Sequence, residues 1–241
     1  MKLLNIPNMI TCCNLISGCI ATYFAFQGNY GMALLFIIIG AVFDFFDGMT
    51  ARLLKVSSPI GKELDSLADV VTFGVAPSAI VFSFLHGQCP AVADNAHLSI
   101  AYCQFMPFLA FLMAAFSALR LAKFNLDERQ AMGFIGLPTP ANALFWGALI
   151  VGGGQWIESN FYFFYGILVL LLVSCYLLIS EIPMFALKFK HWGWKGNEVK
   201  YVFVLTSAVL LILFRVNGIA MVIAWYVLLS VITNLTRKKT T

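Results

Sequence analysis

The sequence predicts an all-α fold, a polytopic bundle of about eight membrane-spanning helices, and three observations lead there. Of the 241 residues 61% are hydrophobic and only 11% are charged, with a mean hydropathy of +0.89; soluble domains run at about 45–50% apolar and about 25% charged. Apolar runs of the ~20 residues that one bilayer crossing needs follow one another with only short polar or Gly/Pro punctuation between them. The basic residues gather at the ends of these runs, in alternate loops, as topology demands. Together these features exclude a soluble enzyme, a disordered chain, a collagen and a small disulfide scaffold. The net charge of +4 does not indicate nucleic acid, because no basic block is large enough to form a footprint.

Residues 9–26 form the first expected span, entered through a short interfacial segment containing Pro7 and Asn8. Lys2 and Ile16-Ser17-Gly18-Cys19 imitate a lipoprotein cleavage box. The positive region is thin, however, and Pro7, Asn8, Thr11 and Asn14 break the apolar stretch, so an uncleaved helix is expected. Runs 30–54 and 61–85 are joined by a Ser57-Ser58-Pro59 turn, short enough to make them antiparallel neighbours. Run 98–122 ends at Arg120, with Lys123 just beyond, and run 138–154 opens within Gly136-Leu137-Pro138-Thr139-Pro140. The last three runs are 161–187, a short 199–214, and 218–235.

A cytosolic N-terminus places Lys2, Arg52, Lys55, Lys62, Arg120, Lys123, Arg129, Lys188, Lys190, Lys195, Lys200, Arg237, Lys238 and Lys239 inside, 14 of the 15 basic residues, and leaves only Arg215 outside. By the positive-inside rule the number of spans is even and both termini are cytosolic. Trp192, Trp194 and Tyr201 read as part of an interfacial aromatic belt. The six cysteines have no metal-ligand spacing and read as small hydrophobes; Cys89 and Cys103 flank the second outer loop and would pair only in an oxidising compartment. His86, His97 and His191 read as loop or interfacial residues. The sequon at Asn234 falls on the inner side and is given no meaning.

Charge inside a span marks function. Four of the 11 acidic residues, Asp44, Asp47, Asp65 and Asp69, lie within 26 positions. At ~100° per residue, Asp44, Asp47, Gly48, Ala51 and Arg52 share an arc of ~140° on the second helix. Asp65 and Asp69 are i,i+4 neighbours on the third, one turn after Gly61. Four facing carboxylates repel one another unless a cation intervenes. Hard oxygen donors without thiolate or imidazole favour Mg²⁺, Mn²⁺ or Ca²⁺ over Zn²⁺, and two such ions suit phosphoryl transfer. Gly48 and Gly61 leave room for a nucleotide to approach the backbone, Arg52 offers a fork for phosphate, and a carboxylate at the cluster's edge suits a general base. Glu181 is an acid late in the sixth run, suited to pair with a nearby cation.

The spacing Asp44-x₂-Asp47-Gly48-x₂-Ala51-Arg52-x₈-Gly61-x₃-Asp65-x₃-Asp69 resembles the complete signature of the CDP-alcohol phosphotransferase family. The flanks are similar to its phosphatidylserine synthase branch: Pro7-Asn8 with Thr11 and Asn14, Leu64 to Asp69 continuing to Phe73-Gly74-Val75-Ala76-Pro77, Ala118 to Asn125, and Gly136-Leu137-Pro138. The motifs cover roughly residues 5–145. The resemblance implies a six-helix core, 1–187, followed by a cytosolic loop and two further spans, 188–241. It implies transfer of a phosphatidyl group from CDP-diacylglycerol to L-serine with release of CMP, at a site on the cytosolic side. Asp44, Asp47, Asp65 and Asp69 would hold two divalent ions, Mg²⁺ or Mn²⁺, and Asp69 would also be the base. Gly48, Arg52 and Gly61 would contact the CDP portion; Arg120, Lys123 and Asn125 are candidates for the serine pocket. Thr11 and Asn14 would bond the nucleotide or neighbouring helices. Relatives also imply a homodimer.

Two other classes compete. A cation transporter would spread its acids through the membrane depth and could show inverted repeats, and no repeat is evident. A structural membrane protein explains neither the acids nor their spacing. Within the family, glycerol 3-phosphate, inositol phosphate or choline are alternative acceptors.

Overall fold

The structure, a computed structural model, describes residues 5–56, 58–96, 100–127, 134–158, 161–185, 193–194 and 197–238. Lys2, His97, Arg129, Lys188, Lys190, His191, Trp192, Lys195 and Lys239 lie outside the described residues, as do the side chains of Arg237 and Lys238.

Local chemistry starts the first helices where the sequence provides caps. Helix α1, Ile6–Phe26, begins after Asn5, whose side chain accepts from the Asn8 amide at 2.8 Å, with Pro7 in the first turn; this removes one orphan donor and spares another. Gly28, at φ +72°, turns the chain into α2, Tyr30–Leu53, capped by Asn29. Ser58 caps α3, Pro59–Asp69, by accepting from the Gly61 amide at 3.0 Å. The helix does not stop at Asp69. It passes through a π-helical stretch, Val70–Val75, directly into α4, Ala76–Ala96. Helix α5, Ile100–Phe105, likewise runs through a 3₁₀ stretch at Met106–Phe111 into α6, Leu112–Leu126. Then follow α7, Thr139–Glu158, α8, Phe161–Ile179, α9, Glu198–Phe214, and α10, Val216–Lys238.

The protein is a helical integral membrane protein. Among the described residues six helical segments are long and apolar enough to cross a bilayer: Ile6–Phe26, Tyr30–Leu53, Pro59–Ala93, Cys103–Leu126, Tyr162–Ile179 and Val216–Leu235. Helices α7 and α9 stand beside these six; α9, at 17 residues, is about 26 Å long against a ~30 Å hydrocarbon core. Large apolar side chains such as Phe105, Leu205, Ile212 and Leu213 are exposed, an arrangement that lipid stabilises and water does not. Inside, Ile37, Phe73, Ile80, Leu85, Met113, Trp146 and Leu171 form the core shared by α2, the π-helical stretch, α4, α6, α7 and α8. The Trp146 Nε1–H donates to Ser174 Oγ at 3.1 Å and ties α7 to α8.

The sixth run ends earlier than its hydropathy suggests. Helix α8 stops at Ile179, and Pro183–Met184 (β2) pairs antiparallel with Phe134–Ile135 (β1). The reason lies at Gly136, φ +76°: its amide donates to the Ile182 carbonyl at 2.9 Å, and the Leu137 amide to the Leu177 carbonyl at 2.9 Å. A Cβ on Gly136 would stand 2.8 Å from the Leu178 oxygen and 2.9 Å from that of Ser180. The Gly136-Leu137-Pro138 motif is thus the clasp that closes the end of α8 and aims the start of α7.

All six cysteines are free. Cys89 donates to the Cys103 carbonyl at 2.9 Å, so the two segments are adjacent without a disulfide. His86 stacks on Phe82 with ring centroids 5.6 Å apart. Trp194 stacks on Tyr201, 5.4 Å between centroids.

Candidate active site

Helix α1 is the wall on which the site is built. It packs along α2 and also against α3, whereas α2 and α3 have little direct contact with each other. The expectation of a simple antiparallel pair is refined: the two acidic helices lean on a third and leave a cleft between them. That cleft is a cavity of about 230 Å³ lined by α1 (Asn5, Pro7, Asn8, Thr11), α2 (Asp47, Gly48, Ala51), the connecting turn (Val56, Ser58) and α3 (Gly61, Lys62, Asp65).

Asp44, Asp47 and Asp65 each bring a carboxylate oxygen within 4.8 Å of the others. The Thr11 hydroxyl donates to Asp47 Oδ2 at 2.6 Å, with the Pro7 carbonyl 3.1 Å away. Asp69 stands apart from this triplet, 7% exposed, and its Oδ1 accepts from Asn14 Nδ2 at 3.1 Å. Asn14 is held in turn by the π-helical stretch, where Thr72 Oγ1 donates to the Asn14 carbonyl at 3.0 Å. Room for Thr72 comes from two glycines. A Cβ on Gly18 would lie 2.4 Å from Thr72 Oγ1, and one on Gly40 2.5 Å from Thr72 Cγ2.

The triplet fits a hard divalent cation. Among the described residues no Lys or Arg reaches ion-pair distance of any of the four aspartates; the ion pair found there is Lys123 with Glu181. Asp65 Oδ1 is buried and has no hydrogen-bond partner, so an oxygen that would otherwise be stranded points to an absent electrophile. Carboxylates without sulfur or imidazole select Mg²⁺- or Mn²⁺-type ions.

The remaining expected residues separate by environment. No atom lies within 4 Å of where a Gly48 Cβ would be, and Gly48 lines the cavity, so its missing side chain is open space. Gly61 is tight, with Asn8 Oδ1 and Ser58 Oγ each 3.1 Å from a Cβ. Arg52 is exposed in the last turn of α2 and is not among the residues lining the cavity. Arg120 is 7% exposed, interacts electrostatically with Asp69, and donates from Nη1 to Thr139 Oγ1 at 3.4 Å. Its Nε has no partner. Lys123 is engaged by Glu181, which gives that acid its cation. Asn125 braces the cleft: its Nδ2 donates to Ser66 Oγ at 2.8 Å, while its carbonyl accepts from Lys62 Nζ at 2.8 Å. Arg120 therefore keeps an unpartnered Nε, whereas Lys123 is committed to Glu181 beyond the end of α8 and Asn125 to α3.

Sequence reasoning missed Asn5, Ser58 and Lys62 as cavity walls and Thr72 and Thr139 as supports. Asn5 and Ser58 carried a signal, since each is a helix cap placed before a proline. Thr72 and Thr139 carried none beyond being polar in an apolar context.

A half-buried aspartate cluster beside an open cleft of about 230 Å³, in a membrane protein, is suited to moving a phosphoryl group between a lipid and a soluble molecule. Comparison with known proteins agrees. The CDP-alcohol phosphatidyltransferase family model matches residues 4–175. The chain is 37% identical over 190 residues to a CDP-diacylglycerol–serine O-phosphatidyltransferase of Bacillus subtilis, covering 78% of this chain and 90% of that protein. It is 33% identical over 181 residues to the enzyme of that name from Methanocaldococcus jannaschii, covering 75% and 74%. A Helicobacter pylori protein of the same name is 33% identical over 140 residues, with 57% of this chain and 54% of that protein covered. With residues 4–175 matched by the family model and three aspartates of the signature converging, the chain belongs to the CDP-alcohol phosphatidyltransferase family.

Proposed function

We propose that the protein transfers the phosphatidyl group of CDP-diacylglycerol to the hydroxyl of L-serine, giving phosphatidylserine and CMP. The observation that carries this reading is the division of labour among the acids: three carboxylates converge, while Asp69 is held separately by Asn14. Asp44, Asp47 and Asp65, with Asp69 at the edge, would hold two Mg²⁺ or Mn²⁺ ions, which when bound neutralise the diphosphate and the charge growing on departing CMP. The nucleotide occupies the cleft lined by Gly48, where the place of a side chain is open, and by Gly61. Asp69 accepts the proton of the serine hydroxyl; the serine oxygen forms its bond to the phosphorus bearing diacylglycerol; the bond from that phosphorus to the CMP oxygen breaks. Positioning and electrostatics supply most of such a reaction. Arg120 is the residue assigned to the serine carboxylate, because it is buried with Nε unsatisfied and forms no ion pair with an acid among the described residues.

Serine is favoured as the acceptor by the similar proteins, which carry the name CDP-diacylglycerol–serine O-phosphatidyltransferase. The site is assigned to the cytosolic face of a bacterial inner membrane, where the positive-inside pattern places the α2–α3 turn. The test supplies purified protein with CDP-diacylglycerol, Mn²⁺ or Mg²⁺ and a panel of acceptors, and measures CMP. Serine-dependent release that Asp69→Asn abolishes while CDP-lipid binding persists is the expected result. Equal release with every acceptor overturns the serine assignment and leaves the family intact.

A further inference from the structure

Helix α10 packs on α7 and α9 but stands away from α8, and the gap is an open groove of about 340 Å³. Its walls are almost entirely carbon, from Phe145 on α7, Leu170 and Val173 on α8, and Val227 and Val231 on α10. Ser174 also lines it but is satisfied, accepting from Trp146 and donating to the Leu171 carbonyl at 2.9 Å. Asn142 is different. It is 0% exposed, it lines the groove, and neither its Nδ2 nor its Oδ1 has a hydrogen-bond partner. In hydrocarbon, water does not relieve such a group, so whatever satisfies it enters through the groove.

Position identifies the occupant. Asn142 lies one helical turn along α7 from Thr139, whose hydroxyl meets Arg120, so it sits in the leaflet that holds the carboxylates. From Leu177 to Leu170 on α8, and from Ile232 to Ile223 on α10, the groove runs about 10–14 Å at 1.5 Å per residue. That is close to half of the ~30 Å hydrocarbon core, the depth of a single leaflet. Its polar point is near the end where lipid esters lie. The groove shares no lining residue with the cleft at the aspartates. Much of its wall is α10, beyond the stretch the family model matches.

We propose that this groove holds one ester-linked acyl chain of a resident diacyl glycerophospholipid, with Asn142 Nδ2 donating to the ester carbonyl. The chain fills the space between α8 and α10 and fastens the C-terminal helix to the core. The experiment places purified protein in nanodiscs of diacyl phosphatidylglycerol or of its dialkyl ether analogue, then counts retained lipid by native mass spectrometry after mild delipidation. The wild type is expected to keep one equivalent of the diacyl lipid and at least fivefold less of the ether. Asn142→Leu, close in volume and able to remain folded in an apolar groove, is expected to lose that preference; Ala224→Phe, which fills the groove, is expected to lose the bound lipid. Equal retention of ester and ether lipid by the wild type overturns the proposal, as does a full equivalent persisting in Ala224→Phe. A rise of more than fivefold in KM for a CDP-lipid in Asn142→Leu, with serine KM unchanged, also overturns it, because the groove would then belong to the substrate. Lipid retention is read without turnover, so failure of the serine assignment leaves this result independent.

Discussion

Replacing Asn14 with leucine removes one interaction from Asp69 and little else. The Asn14 amide donates to Asp69 Oδ1 at 3.1 Å, both residues are buried, and Asn14 does not line the cleft. A hydrogen bond to a charged group contributes about 1.5–3 kcal/mol, and about 1.4 kcal/mol is tenfold in rate. If Asp69 must be held in place to receive the serine proton, Asn14→Leu lowers kcat by about 10–150-fold, while KM for CDP-diacylglycerol stays within about threefold. The measurement is CMP release at saturating serine and metal, with thermal unfolding in detergent to show that the variant is folded. The Gly40 backbone is close, with Asn14 Oδ1 3.0 Å from a Gly40 Cβ position, so a modest fall in stability accompanies the change. A folded Asn14→Leu variant with kcat within twofold of wild type refutes the role given to this hydrogen bond, and with it the view of Asp69 as a carboxylate positioned for chemistry.

Further outcomes follow from the same geometry. Chelation should abolish turnover and added Mn²⁺ or Mg²⁺ restore it, and Asp44→Asn, Asp47→Asn and Asp65→Asn should each lower activity at least 100-fold; a single variant retaining full metal-dependent activity would remove that residue from the ligand set. Gly48→Leu should raise KM for the CDP-lipid at least tenfold without changing the unfolding temperature, because the new side chain enters open cleft. Arg120→Lys should raise the serine KM at least tenfold, whereas Lys123→Ala should change it less than threefold and stability by about 0–1 kcal/mol, as expected for an exposed ion pair. Gly136→Ala should destabilise the protein by about 1–3 kcal/mol through its left-handed backbone, read as a lower unfolding temperature in detergent.

The acids were legible in the sequence because their chemistry is costly in a membrane and their spacing is helical: Asp44, Asp47 and Asp65 meet in space as the pattern requires. What surrounds them was less legible, for a physical reason. Val70 to Val75 reads as uninterrupted apolar helix, since hydropathy has no term for the pitch of a turn, and the π-helical stretch that seats Thr72 against Asn14 leaves no mark there. Lys123 and Arg120 look alike as two cations at the end of one run. Only the tertiary placement of Glu181, on the far side of a clasp made by Gly136, decides which of them is neutralised. The early end of α8 was hidden similarly, because Ile182, Pro183 and Met184 are apolar in sequence yet extended in the fold.

The π-helical stretch makes one continuous rod behave as two. A π turn accommodates one residue more than an α turn, and one residue is worth about 100° of rotation around the axis. The aspartate-bearing portion before Val70 and the core-packing portion after Val75 thus have independent phases, and the angle between them is set by that extra residue. Changes to the packing face of α4 can accumulate without turning Asp65 or Asp69 away from the cleft. Deleting a single residue among Val70–Val75 would restore regular pitch and swing the acids out of alignment with Asp44 and Asp47, so within this long helix the count of residues is guarded more strictly than their identity.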